Sequence, residues 1–102
     1  MGTRYRFECT RCAYAVEVSG GFDCGELGYV HTALCRTCRP ARLVDASKTS
    51  DPFEQTYRDA TDFVCPHART RPHILALWLH PGACPRCSAP MRRDEETGIL
   101  WD

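Results

Sequence analysis

Tyr5-Arg6-Phe7-Glu8-Cys9-Thr10-Arg11-Cys12-Ala13-Tyr14-Ala15-Val16-Glu17-Val18 alternates polar and apolar side chains into a Cys-x-x-Cys turn and out of it again. Alternation with a period of two is the mark of a half-buried strand, so two strands joined by a thiol-bearing turn are expected here. The same turn recurs as Cys35-Arg36-Thr37-Cys38 and Cys84-Pro85-Arg86-Cys87, and Cys65-Pro66-His67-Ala68 has its outline with Ala68 in place of the last cysteine. Such a turn holds two thiolates at the separation a tetrahedral metal requires, and two turns together supply four ligands at about 2.3 Å from zinc.

A disulfide framework is the alternative use of eight cysteines in 102 residues. Two features weigh against it. The stretch Met1-Gly2-Thr3-Arg4-Tyr5-Arg6-Phe7 lacks the apolar run of a secretory signal, so a reducing, cytoplasmic location is expected, where disulfides are rare. Cysteines with only two residues between them would also close only tiny loops. Metal offsets the small core of so short a chain, because a structural zinc contributes on the order of 10 kcal/mol of apparent folding free energy. Thirteen basic and thirteen acidic residues balance, which gives no global basic excess for nucleic acid. No stretch approaches the roughly 20 apolar residues of a membrane span.

The fold class expected is a small, metal-bound, β-rich domain of two zinc-ribbon (rubredoxin-like) units with a short connecting helix. Residues 1–45 form the first ribbon: after the opening hairpin and Ser19-Gly20-Gly21, Tyr29-Val30-His31-Thr32-Ala33-Leu34 runs into the second knuckle and Ala41-Arg42-Leu43-Val44 leaves it. Residues 46–64 form the connector. There Asp51-Pro52-Phe53-Glu54 reads as a helix start, predicting a helix from Pro52 to about Ala60 with Phe53, Tyr57 and Ala60 on its packed face and Glu54, Gln55, Arg58 and Asp59 outside. Residues 65–102 form the second ribbon, packed as one unit with the first. In it Pro72 to Leu79 and Ala89 to Arg93 are strands, Asp94-Glu95-Glu96-Thr97-Gly98 is a turn, and Ile99-Leu100-Trp101 returns as the last strand, with Trp78 and Trp101 available to a shared core.

Sequential pairing of the knuckles assigns Cys9, Cys12, Cys35 and Cys38 to the first metal site. Its four thiolates mark it as structural; zinc is expected, and iron takes the same ligands. The second site gathers Cys65, Cys84 and Cys87, with His67 as the nearest fourth ligand, His80 next, then His73 or His31. With no fourth protein ligand, zinc there would hold an activated water and reopen catalysis. However, the position that carries the general acid/base glutamate in nucleobase deaminases is His67 here. A cross-braced pairing, Cys9/Cys12 with Cys65/His67 and Cys35/Cys38 with Cys84/Cys87, would resemble the RING domains of ubiquitin ligases. The long segment between the middle pairs disfavours it. Cys24 belongs to neither set and reads as a small hydrophobe.

The first knuckle with Tyr14 to Val18, Ser19-Gly20-Gly21, Thr32-Ala33-Leu34-Cys35-Arg36-Thr37-Cys38, and Cys84-Pro85-Arg86-Cys87 with the downstream Met91 resemble small bacterial zinc-ribbon proteins. The resemblance implies a rubredoxin-like β fold holding two zinc ions, with no activity attached. Three functions follow from the residues. The first is a non-enzymatic adaptor whose partner is another protein. The second is nucleic-acid binding through Arg69, Arg71, Arg86, Arg92 and Arg93, with His73 and Trp78 for stacking. The third is redox or metal sensing at the incomplete second site.

Overall fold

The computed structural model describes residues 2–25, 28–49 and 51–101, with residues 95–101 described by backbone alone. The opening alternation forms β1 (Gly2–Cys9) and β2 (Ala15–Val18), an antiparallel hairpin with Tyr5 opposite Val18 and Glu8 opposite Ala15. Its tip carries Cys9 and Cys12. The other edge of β1 is taken by β8 (Met91–Trp101), which places Cys9 opposite Met91 and Gly2 opposite Trp101. The resulting sheet has the order β2-β1-β8, so the first and last strands lie side by side.

The turn expected at Asp94 to Gly98 is not a hairpin. Ile99 to Trp101 continue along β1 in the same direction as Met91 to Asp94, and the surplus residues bulge where β1 steps from Arg4 to Arg6 while β8 steps from Ile99 to Asp94. A bulge absorbs extra residues without ending a strand, and it leaves Gly2 to Arg4 paired, which a returning strand would not.

The second sheet runs β3 (Phe22–Gly25), β4 (Gly28–Cys35), β5 (Arg42–Lys48) and β6 (Phe63–Val64), with β7 (Leu75–Leu77) beside the far end of β4. Cys35 and Cys38 lie at the tip of the β4–β5 hairpin. Gly28 has φ +122°, and a Cβ there would meet the Pro52 carbonyl oxygen at 2.6 Å, so glycine alone fits.

The period of two along β4 and β5 builds a core on each face of this sheet. Ala33, Cys35, Val44 and Ala46 pack with Phe63 and Cys65 on one side. On the other, Leu34 and Leu43 meet Phe7, Val18, Trp78 and Met91, which joins the two sheets. Trp78 is 6% exposed, stands edge-on to Phe7 with ring centroids 5.4 Å apart, and donates its indole N–H to Ala83 O at 2.9 Å. The side chain of Trp101 lies outside the described residues. A polar joint completes the contact between the sheets. The Asp45 carboxylate, 6% exposed, accepts from Ser19 N, Ser19 Oγ and Thr32 Oγ1 and pairs with Arg4 at 3.3 Å.

The connecting helix predicted from Pro52 to Ala60 is absent: among the described residues the only helical piece is a 3-10 turn, Ala60–Asp62, capped by Asp59. The start signal does produce one turn, with Glu54 N donating to Asp51 O at 2.8 Å. Tertiary partners then consume the groups a helix would use. Pro52 O accepts from Tyr29 N, Glu54 O accepts from Lys48 Nζ, and Arg58 N donates to the Asp62 carboxylate instead of to Glu54 O. Asp51 has φ +47°, outside the extended conformation of an N-cap. Of the expected packed face, Tyr57 does pack, against Phe22, His31 and Phe63, whereas Phe53 is 67% exposed. Among the described residues no helix is long and apolar enough to cross a membrane.

Candidate metal centres

The pairing of β8 with β1 decides the first cluster. Because Cys9 faces Met91, the turn that precedes β8 lies beside the β1–β2 tip, and Cys84 and Cys87 meet Cys9 and Cys12. Backbone bonds fix this arrangement: Cys84 N to Ala89 O at 2.7 Å, Thr10 N to Pro90 O at 3.1 Å and Met91 N to Gly82 O at 3.1 Å. Cys9 Sγ lies 3.4 Å from Cys87 Sγ, and Cys12 Sγ lies 3.7 Å from Cys84 Sγ. A tetrahedron of sulfurs about 2.3 Å from zinc has edges of about 3.8 Å, whereas a disulfide is only about 2.05 Å long. The separations therefore fit a shared metal. Within the knuckles, Arg11 N and Cys12 N point at Cys9 Sγ and Arg86 N points at Cys84 Sγ, each at 3.3 Å, so amide dipoles face the sulfurs.

The second cluster is built where β7 pairs with β4. Cys35 lies opposite Leu75, which brings His73, just before β7, over the β4–β5 tip. Ile74 N donates to Thr37 Oγ1 at 3.0 Å and pins that approach. Cys65 arrives from the end of β6. His73 Nδ1 lies 3.4 Å from Cys35 Sγ and 3.7 Å from Cys38 Sγ, and Cys38 Sγ lies 3.7 Å from Cys65 Sγ. In each cluster all four donor atoms fall within 4.8 Å of one another.

The clusters therefore divide the residues differently from the sequential expectation. Cys9 and Cys12 sit with Cys84 and Cys87 rather than with Cys35 and Cys38, and Cys65 sits with Cys35 and Cys38. One cluster is nested in sequence inside the other, an arrangement neither sequential nor cross-braced. His67 is exposed, and it is its backbone N–H, not its ring, that reaches Cys65 Sγ at 3.4 Å. The Cys65-to-Ala68 segment still closes like a knuckle, with Ala68 N donating to Cys65 O at 3.1 Å. It lacks the second thiol, and His73 supplies the missing donor from farther along the chain. His80 packs on Phe7 and His31 on Phe22, Tyr57 and Phe63, away from both clusters. Cys24 is likewise in neither, its thiol directed at Gly25 O.

The two clusters differ in their electrostatics. The N–H groups of Cys12 and Arg11, aided by Cys87, hold the Cys9 thiol down to about 6. Burial pushes Cys38 up to about 12 and also raises Cys65. The first cluster thus holds one partly exposed sulfur, Cys9, already inclined to be thiolate beside Cys12 and Cys87, whose thiols are raised, and the second holds two buried sulfurs, Cys38 and Cys65, that a cation must strip of their protons. Four thiolates, or three with an imidazole, are donor sets that suit zinc, and four of them complete a tetrahedron. No family model, curated protein or solved structure matches the chain.

Proposed function

We propose that this chain is a non-enzymatic interaction module stapled by two zinc ions, one held by Cys9, Cys12, Cys84 and Cys87 and the other by Cys35, Cys38, Cys65 and His73. The convergence of four donors in each cluster carries the reading, because a filled tetrahedron leaves no position for a substrate or an activated water. Each metal substitutes for core the chain lacks and stiffens a β surface for a partner protein. Native mass spectrometry of the purified protein tests the staple: two zinc ions per chain are expected, and chelation should abolish cooperative folding. A metal-free chain that folds cooperatively would contradict it. For the interaction role, crosslinking from native lysate should recover a reproducible protein partner, and its failure to do so would remove the adaptor.

The nucleic-acid reading loses support from the placement of its stacking residues. Trp78 is in the core and His73 is a cluster member, so neither presents a face for base stacking. Arg92 is paired with Glu8 and Arg93 lies over the Tyr5 ring, which spends two of the five arginines locally.

A further inference from the structure

An open cleft of about 700 Å³ runs between β2 and β5. β2 is an edge strand among the described residues. Cys9 N donates to Tyr14 O, which fixes the ladder: Tyr14, Val16 and Val18 bond to β1, and by alternation Ala15 and Glu17 turn their backbone N–H and C=O groups outward into the cleft. Across it, Leu43 N is taken by the Tyr14 hydroxyl and the Asp45 carboxylate accepts from Ser19 N, so β5 is held against β2 at both ends, with the outward backbone groups of Ala15 and Glu17 between these two ties.

The charged walls are Arg4, Arg42, Lys48 and Arg86 against Glu17 and Asp45. Asp45 is occupied by Arg4, Ser19 and Thr32, and Lys48 is bound to the carbonyls of Asp51 and Glu54. Arg42 and Arg86 remain without a carboxylate among the described residues. Both are oriented all the same: Arg42 Nε bonds to Pro40 O, and Arg86 Nε bonds to Ala41 O at 2.7 Å with its guanidinium 4.7 Å above the Tyr14 ring. Two positioned, unpaired guanidiniums beside an unpaired strand edge match a chain that has both backbone amides and carboxylates. A nucleic acid offers no backbone ladder, and Arg86 already covers the Tyr14 ring.

We infer that the cleft receives an extended acidic segment of a partner protein, which adds as a strand to the edge of β2 at Ala15 and Glu17 and places its carboxylates on Arg42 and Arg86. The inference rests on the interaction-module reading. Glu17, in the same wall, sets the polarity: acidic residues belong at the Tyr14 end of the bound segment, and neutral or basic ones beside Glu17.

Short random peptides displayed on phage and selected on the zinc-loaded protein test this. The selected peptides should be rich in Asp and Glu and should slow amide exchange at Ala15 and Glu17. They should bind at least about tenfold more weakly to an Arg42→Gln/Arg86→Gln protein that retains two zinc ions, since each lost charged hydrogen bond is worth about that factor. Arg42→Glu/Arg86→Glu should turn the selection toward basic peptides. Selection without acidic enrichment, protection of another edge, or equal displacement by a single-stranded oligonucleotide would overturn the cleft as the acidic-peptide site. Peptides that map to another face would leave the interaction module standing; no selected peptide at all, together with no crosslinked partner, would end both readings.

Discussion

The two candidate metal clusters bring together residues at different sequence separations and sit at different places in the fold. The outer centre joins residues 78 and 72 positions apart, and the inner joins residues 27 and 38 apart. Loop length alone makes the outer closure only about 1 kcal/mol more costly for the chain without metal. Position matters more. With metal bound, the outer cluster would clamp the last strand, β8, to the first, β1, while the inner one would tie β6 and β7 to a hairpin that β4 and β5 already form. The outer sulfurs are mostly half-exposed, and all three inner sulfurs are buried.

Breaking the outer clamp should have the largest effect. Cys84→Ser removes a buried outer ligand, and with on the order of 10 kcal/mol attached to a structural zinc, the loss exceeds the stability of most small domains. The amide spectrum should collapse throughout, not only in β8. His73→Ala leaves the inner site three thiols, so zinc there should weaken by at least about 100-fold, the upper range for losing even a supporting partner of a ligand. His67→Ala should leave both sites intact, as read by chelator competition. Adding Ala68→Cys to His73→Ala should restore much of the inner affinity, because residue 68 already closes the knuckle. Asp45→Asn, which weakens the joint between the sheets without touching either metal, should cost about 2 kcal/mol in denaturant unfolding. The smallest effect is kinetic. Mild peroxide followed by mass mapping should modify the half-exposed Cys9, Cys12 and Cys87 before the inner thiols, Cys9 first.

The strands were legible because alternation is local. Tyr5 to Val18 carries it on both sides of the first knuckle, while Tyr29 to Leu34 and Arg42 to Val44 carry the equally local signal of short apolar and β-branched runs bounding the second, and strands with knuckles at their tips form at each. Which knuckles meet was not legible, since that depends on β8 crossing the whole chain to pair with β1, and no residue near Cys84 announces this. His73 was hidden for a related reason: it becomes a neighbour of Cys35 only once β7 pairs with β4. His67 had the better spacing to Cys65 and the wrong surroundings. The helix start at Asp51 was a sound local signal, overridden when Tyr29, Lys48 and Asp62 claimed its backbone groups.

Cadmium-113 to proton correlation spectra of the cadmium-loaded protein address the nesting directly. One cadmium should couple to the Hβ protons of Cys9, Cys12, Cys84 and Cys87, and the other to those of Cys35, Cys38 and Cys65 together with the imidazole protons of His73. A single cadmium coupled to both Cys9 and Cys35, or to the ring of His67, would contradict the nested arrangement.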